Sequence, residues 1–343
     1  MKRYFLSGLI IVASLASATV TAQISAMPKA PFKLATYASG GEDRIAMLVD
    51  GWLVDIEQAN AFMERETGAA AVELPGDMKT LIEESGTTKP RLFQIANYLA
   101  GKAEDLGFAF KPEDVTIRAP IKYPWNLLAA GQNYRAHAVE LGGSADIDPD
   151  RDDPFLFLKS PRSTITDPGV PFVIPRGRDT IDWEGEFAVV MSREAKDLTL
   201  DNAMDYVFGF TIVYDLSDRA AQIPGESGRY PNDWFPGKSL DHAAPMGPYI
   251  VPKEFLPNYD RLHLTTRVNG QVMQDSDTSY LIHDVPRLLR YATAIMTLWP
   301  GDVIATGTPN GVGHGRTPRV YLKPGDIVEI EVEGIGTLVT PIR

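Results

Sequence analysis

The chain of 343 residues contains no cysteine. This absence excludes disulfide bonds, zinc–thiolate sites and cysteine nucleophiles. It also excludes a lipid anchor attached to cysteine. A chain of this length buries enough apolar surface to be stable without disulfides, so export from the cytoplasm remains compatible with the composition.

Basic residues are in the minority. The chain has 33 lysines and arginines against 45 acidic residues, which gives a net charge of −12 with histidine neutral. Contacts to nucleic-acid phosphates need clustered basic side chains, and no basic stripe is present, so nucleic acid is excluded as a partner. A small anionic substrate is not excluded, because a bound metal can dominate the field of a cleft.

Two common catalytic motifs are missing. No Gly-x-Ser-x-Gly segment is present, and this argues against a serine hydrolase of that type. The Gly-rich segment at residues 306–313 lacks the Gly-Lys-Ser/Thr ending of a nucleotide P-loop. Its exposed amides and hydroxyl instead suit a carboxylate.

The N-terminus has the pattern of a secretory signal. Lys2 and Arg3 precede an uncharged apolar run from Tyr4 to Val20, and small residues favour cleavage after Ala22. Residues 1–22 are therefore predicted to be a signal peptide, and the mature protein is predicted to be exported, to the bacterial periplasm, without stable membrane insertion. An uncleaved membrane anchor is the alternative, but the run is short and contains serine.

Residues 23–118 predict a small α+β domain. Strands are expected near its start, and most of residues 58–106 is expected to be helical because apolar residues recur at helical spacing. The expected strands are Lys33–Tyr37, Arg44–Asp50 and Trp52–Ile56.

Residues 119–343 predict a larger, β-rich catalytic domain with many turns, and the whole chain is therefore assigned to the α+β class. One amphipathic helix is expected from His283 to Leu298. The expected strands are Phe155–Leu158, Pro171–Ile174, Ile181–Met191, Val207–Tyr214, Leu262–Val268, Asp302–Thr306 and Ile327–Val332.

Acidic and apolar residues alternate from residue 181 to 187, which predicts a half-buried strand. Carboxylates crowded on one strand face repel one another unless a cation lies among them. The strand therefore suggests a divalent metal site, although a solvated face is the alternative and is the preferred interpretation of the similar pattern at 326–333. The crowded acids are Asp182, Glu184 and Glu186.

Further candidate residues stand near strand ends. His137 and Glu140 are three residues apart on a short predicted helix, capped by Asn133, so the carboxylate could orient a general base. A surface histidine with an incidental ion pair is the alternative, and the motif taken alone favours it. Asp215 ends an apolar strand and could be a third ligand, or only a turn residue. Lys238 lies between rigid apolar segments that could hold it in a cleft. The alternative is that Lys238 is an exposed lysine of a loop.

Several other patterns are given no functional role. Residues 146–153 resemble a calcium loop but lack its glycine and final glutamate, so they predict a solvated loop. The remaining histidines show no metal-ligand spacing and are assigned structural roles: His242, His263, His283 and His314.

Taken in order, these segments resemble the fumarylacetoacetate hydrolase superfamily. The resemblance covers roughly Pro120 to Arg343, and residues 33–110 are similar to the smaller N-terminal domain that many members carry. Gln132 departs from the family, where a small or apolar residue is common, and a secretion signal is unusual. The matching stretches are GQNYRAHAVE, PFLFLKSP, DWEGEFAVV, GFTIVYDLSDRAAQ, GKSLDHAAPMGPYIV, WPGDVIATGTPNGVG and LKPGDIVEIEVEGIGTL.

The resemblance implies the family's mixed β-sheet roll, a homodimer, and one Mg²⁺ or Mn²⁺ per site. Oxygen ligands independently suit these hard cations. Asp182 is not expected to be a ligand. The implied roles are metal ligands Glu184, Glu186 and Asp215; catalytic residues His137, Glu140 and Lys238; and substrate-binding residues Tyr134, Arg219, Gln222 and Thr308.

The function expected from this resemblance is metal-dependent hydrolysis of a C–C bond in acylpyruvate-like 1,3-diketo acids, the class of fumarylacetoacetate and fumarylpyruvate. The substrate partner would be a small 2-oxo acid. An isomerase or decarboxylase of 2-oxo or 2-hydroxydienoic acids is the alternative, because it needs the same metal and enolate but no attacking water. An exported binding protein without catalysis is the third reading, and the His137–Glu140 pair argues against it.

Overall fold

The computed structural model describes residues 24–220 and 233–343. The predicted signal peptide lies outside the described residues, and so does the predicted substrate residue Gln222. Over the described ranges, none of the helices combines the length and apolar character that a membrane crossing requires.

The N-terminal part of the chain is an antiparallel sheet covered by helices. Its strands are arranged in the order β4-β3-β2-β1-β5. The first three strands form a meander joined by tight turns, and the last two return to the sheet edges after the helices. The elements are β1 Lys33–Ser39, β2 Glu42–Val49, β3 Trp52–Asp55, α1 Ile56–Thr67, α2 Met78–Glu83, α3 Ser85–Leu99, β4 Ala109–Phe110 and β5 Ile117–Arg118.

A six-stranded mixed sheet forms the centre of the rest of the chain, in the order β14-β11-β10-β17-β6-β7. β17 and β6 are parallel, and the other neighbours are antiparallel. The strands are β6 Leu127–Gly131, β7 Phe155–Lys159, β10 Gly185–Met191, β11 Val207–Tyr214, β14 Val251–Pro252 and β17 Val303–Ala305.

A four-stranded antiparallel sheet, β16-β15-β18-β19, packs against the central sheet, and two short ladders pair β9 with β12 and β8 with β13. The strands are β8 Ile165–Thr166, β9 Ile181–Asp182, β12 Ser217–Asp218, β13 Ala244–Pro245, β15 His263–Val268, β16 Gln271–Asp277, β18 Ile327–Val332 and β19 Gly336–Pro341; the helices are α4 Arg135–Glu140, α5 Pro161–Thr164, α6 Phe235–Lys238 and α7 Val285–Ile295.

Both faces of the central sheet are buried. On β10, Phe187 and Val189 join the core shared with the four-stranded sheet, whereas Ala188 and Val190 join the core shared with the N-terminal helices. This period of two explains the wholly apolar run at residues 187–191. The two sheets also come very close at Gly185, because a Cβ there would lie 2.3 Å from Thr266 Oγ1.

The structure confirms most of the predicted elements but corrects three. Residues 171–174 form no strand, only a single bridge between Phe172 and Ile342; the flanking prolines lack the N–H donors that a ladder needs. The strand expected at 181–191 is interrupted at 183–184. Asn133 does not cap α4; its side chain instead bonds the carbonyls of His283 and Thr306.

Candidate metal centre and active site

Three carboxylates converge at one end of the central sheet. Gly185 on β10 pairs with Tyr214 on β11, so Glu184 lies beside Asp215, and the Asp215 amide donates to the Glu184 carbonyl at 3.0 Å. Glu186 follows two residues along β10 and therefore points to the same face. Oxygen atoms of Glu184, Glu186 and Asp215 all lie within 4.8 Å of one another.

All three side chains are buried, at 3% exposure or less. Burial, and then the neighbouring Asp215 and Glu184, raise the pKa of Glu186 well above its ordinary value. Burial acts in the same direction on Glu184, but Arg219 and Lys238 outweigh it and hold the pKa of that carboxyl well below its usual range. Of the three acids, Glu186 is thus the one that lacks a cation among the described residues.

Three basic side chains surround the other acids. Lys238 on α6 bridges Glu184, at 2.5 Å, and Asp215. Lys159 on β7 contacts the remaining oxygen of Asp215 at 2.5 Å. Arg219 binds both Glu184 and Asp182.

The pKa values of the two buried lysines shift in opposite directions. Burial lowers the pKa of Lys159, and its contact with Asp215 only partly reverses this. Burial would also lower the pKa of Lys238, but Asp215 and Glu184 together raise it. Including Asp182, four carboxylates face three cations, so with every group ionised the cluster carries one uncompensated negative charge. A divalent ion would change the sum to one positive charge.

The His137–Glu140 pair lies against this cluster. His137 Nδ1 is 2.7 Å from Glu140 Oε1, and His137 Nε2 is 3.8 Å from Glu184 Oε1. The spacing of three residues on α4 brings the two side chains together as expected. Since Nδ1 is engaged by a carboxylate acceptor, Nδ1 carries the proton and Nε2 is left as the basic atom facing the acids.

The Gly-rich segment at 306–313 holds both parts of the site in place. The Gly307 amide donates to Glu186 at 2.8 Å, and the Gly311 amide donates to Glu140 at 2.9 Å. Thr308 bonds the Gly185 carbonyl and Gln274. Gly311 has φ +105°, and a Cβ there would lie 2.1 Å from the Met273 carbonyl oxygen, so only glycine fits.

A cavity of about 210 Å³ opens onto these groups. Its wall is polar where the acids, Lys238 and Arg219 lie, and apolar at Leu141 and Trp234. The cavity is lined by Ala130, Gly131, Gln132, His137, Leu141, Glu184, Glu186, Arg219, Trp234, Lys238, Thr308 and His314.

Residues 126–343 match the family described as "Fumarylacetoacetate (FAA) hydrolase C-terminal". The chain belongs to the fumarylacetoacetate hydrolase family. Oxaloacetate tautomerase YisK of Bacillus subtilis (strain 168) is 36% identical over 294 residues, which are 84% of this chain and 94% of that protein.

Solved structures of the same family share the fold. A fumarylacetoacetate hydrolase from psychrophilic Exiguobacterium antarcticum has a TM-score of 0.72 and 30% identity, over 91% of this chain and 99% of that one. A 5-carboxymethyl-2-hydroxymuconate delta-isomerase from Mycobacterium smegmatis has a TM-score of 0.64 and 32% identity, over 90% and 98%. The predicted α+β fold class is confirmed, whereas these relatives carry three different activities, so membership alone does not select a reaction.

The acids fit the divalent cation that the family resemblance implies. The cluster offers carboxylate oxygens from three residues, a donor set that hard ions such as Mg²⁺ and Mn²⁺ prefer. Glu186 in particular is a buried acid between two others, and a cation would relieve its repulsion. The residues that would hold the ion are Glu184, Glu186 and Asp215.

The structure brings most of the predicted site residues together, with differences for the substrate group. Thr308 and Arg219 line the cavity, but both use side-chain atoms for contacts within the protein. Tyr134 is buried and lines a neighbouring groove instead, and its hydroxyl has no partner among the described residues.

Two residues of the site, His314 and Lys159, were missed by sequence reasoning, and Asp182 was singled out there without its partner. His314, interpreted as structural, lines the cavity. Lys159 and Asp182 form buried ion pairs with a metal-ligand candidate and with Arg219. A lysine ending an apolar strand at Lys159 was a usable signal, because an isolated buried ammonium is costly and requires an acidic partner.

Proposed function

We propose that the protein is a divalent-metal-dependent enzyme that interconverts the keto and enol forms of small 2-oxo acids. The observation that carries the proposal is the position of His137, whose Nε2 faces a buried carboxylate triad while Glu140 holds Nδ1. A base next to a bound 2-oxo acid is what proton transfer at the adjacent carbon requires. The tautomerase relative, which is matched over 94% of its length, supports this choice.

Each side chain of the site has a separate role in the proposed reaction. When bound, Mg²⁺ or Mn²⁺ supplies a Lewis acid that orients the substrate and stabilises negative charge on its carbonyl oxygen. His137 Nε2 removes a proton from the carbon next to the carbonyl, and the electron pair moves to the carbonyl oxygen. Glu140 stabilises the imidazolium formed, and Lys238 lies close enough to the triad to stabilise the enolate. Return of the proton to oxygen gives the enol.

Hydrolysis of the C–C bond in acylpyruvate-like acids is the second candidate. The same His137–Glu140 pair could instead take a proton from water, and the resulting hydroxide would attack the more distant carbonyl. The fold shared with a fumarylacetoacetate hydrolase favours this reaction. Tautomerisation is placed first because it needs only the base and the triad, without a positioned water.

The product formed separates the two candidates. Purified protein is mixed with the enol form of oxaloacetate, and with a panel of acylpyruvates, in Mg²⁺ or Mn²⁺ and in excess chelator, against blanks containing metal alone. Metal-dependent loss of enol absorbance with no change in total oxaloacetate and no release of CO₂ indicates tautomerisation. Release of two acids from an acylpyruvate indicates hydrolysis. Absence of enol loss above the metal blank would refute the proposed tautomerisation, and absence of both activities would refute both candidates.

Variants of histidine supply the control. His137→Gln should lose the activity, whereas His263→Gln should keep it, because the His263 side chain is exposed at the start of β15 and its one ion pair among the described residues is with Asp275. Equal activity of the two variants would remove His137 from the mechanism.

A further inference from the structure

His314 has a ring nitrogen that no described residue uses. The residue lines the catalytic cavity together with Glu184 and Lys238. Its Nδ1 is 2.8 Å from the hydroxyl of Tyr321, but Nε2 has no hydrogen bond within residues 24–220 and 233–343. The proposed reaction, which uses His137 as its base, gives His314 no role.

Tyr321 determines which nitrogen of His314 carries the proton. Burial raises the pKa of the Tyr321 hydroxyl, so this group keeps its hydrogen at neutral pH. Arg319 lies beside Tyr321 and can only donate, which leaves His314 Nδ1 as the acceptor of the tyrosine hydrogen. Burial, then Arg219 and Arg319, lower the pKa of His314, so the ring is neutral. Its single proton is therefore on Nε2.

The backbone around His314 is firmly held. Asp182, which is completely buried, accepts hydrogen bonds from the amides of Gly313 at 2.7 Å and His314 at 3.1 Å. Gly315 packs directly on Glu140, where a Cβ would lie 2.7 Å from Oε2. His314 thus lines the cavity from a fixed loop, and little entropy is lost when its ring binds a ligand.

The two cations that line the cavity, Lys238 and Arg219, are already paired with acids of the protein. Two neutral hydrogen-bond donors of the cavity are not paired in this way. Besides His314, Gln132 lines the cavity with no side-chain hydrogen bond among the described residues, and it holds an unfavourable φ of +53°. Strain of this kind is retained where a side chain has a task. No hydrogen bond among the described residues joins either side chain to the carboxylate triad, so both are available to a substrate group other than the one placed there.

We propose that His314 binds a second carboxylate of the substrate, which makes the protein selective for 2-oxo dicarboxylic acids over 2-oxo monocarboxylic acids. The inference rests on the proposed function, because the first carboxylate and the 2-oxo group are placed at the triad. A donor held by Tyr321 and a rigid loop suits an anionic oxygen, and hydrogen bonds to charged groups are the stronger ones. Tyr321 acts through His314 and is a positioning residue.

Two unreactive ligands with the same head group test the inference. Oxamate carries only the oxalyl head, and N-oxalylglycine carries the same head with a second carboxylate. Their dissociation constants are measured by titration calorimetry at saturating Mg²⁺ for the wild type and for His314→Leu, Tyr321→Phe and the exposed control His263→Leu. Wild type should bind N-oxalylglycine about 10-fold more tightly than oxamate.

His314→Leu should lose that preference while its affinity for oxamate stays within about 2-fold, and Tyr321→Phe should lose part of it. A purely structural role would weaken both ligands together, and this outcome would overturn the inference, as would a wild type without preference. If oxamate and N-oxalylglycine both fail to bind in Mg²⁺, the proposed function itself falls, and this inference with it.

Discussion

Replacing Glu186 with glutamine should stabilise the metal-free protein and abolish its response to divalent metal. Glu186 is buried beside two acids, and its only described hydrogen bond comes from the Gly307 amide. Glutamine has nearly the same volume, and its carbonyl can still accept that bond. The substitution therefore removes one charge and leaves packing almost unchanged.

The size of the stabilisation expected for Glu186→Gln follows from the distance between the acids. At 4.8 Å, the upper limit within the triad, two negative charges repel by about 3 kcal/mol for an effective dielectric constant of about 20. The basic groups that bind Glu184 and Asp215 offset most of this, so about 1–2 kcal/mol should remain. For a chain of 343 residues that corresponds to a rise in Tm of about 2 °C.

The pH dependence has a definite sign. The raised pKa of Glu186 means that the folded state binds its proton more tightly than the unfolded chain does. The stabilising contribution is fully present below the ordinary value of 4.5 and is lost as pH rises through the raised folded value. Glutamine does not titrate, so the variant should be more stable than the wild type only when the pH is above the raised pKa of Glu186.

Thermal unfolding in chelator and in Mg²⁺, from pH 5 to pH 8, measures both effects. Mg²⁺ at about 100 times its Kd should stabilise the wild type by roughly 2.7 kcal/mol and leave Glu186→Gln unchanged. Lower stability of the variant in chelator at pH 8 would refute the charge argument. Equal stabilisation of both proteins by Mg²⁺ would show that Glu186 is not a ligand.

Three other substitutions test separate parts of the site. His137→Asn should reduce turnover by about 10²–10⁴-fold while calorimetry shows unchanged Mg²⁺ binding, and loss of both would point to a role in metal binding. Lys159→Met should lower the unfolding free energy in chelator by about 3 kcal/mol, measured with urea, since Asp215 loses a buried partner; no change would mean that Lys238 alone suffices. Gly311→Ala should lower both Tm and turnover because its Cβ has no space and the backbone shift that it forces moves the amide donor away from Glu140; full activity would contradict the role of that amide.

The carboxylate triad could be predicted because it follows from local pattern. Alternation at 181–187 placed Glu184 and Glu186 on one face, and Asp215 ended the next long apolar run. Only the register of β10 with β11 was missing, and the family resemblance supplied the equivalent information. His137 and Glu140 were likewise predictable, since helical spacing alone brings them together.

Contacts between distant segments could not be predicted in this way. Lys159 reaches Asp215 across 56 residues, and the Gly311 amide reaches Glu140 across 171. His314 follows a Gly-rich loop, and only tertiary packing decides whether such a residue faces solvent or a cavity. The interruption of the predicted strand at 183–184 has the same origin, because β9 leaves the central sheet to pair with β12.

The uneven charge of the buried cluster predicts an order of binding for the proposed reaction. With all four acids and all three bases charged, the metal-free protein would repel anions from its own cavity. Uptake of the proposed ion would invert the local potential, and only then would a negatively charged acid be attracted. The protein should therefore follow an ordered scheme, with metal first and substrate second, and phosphate or sulfate should not compete with substrate until the ion has arrived.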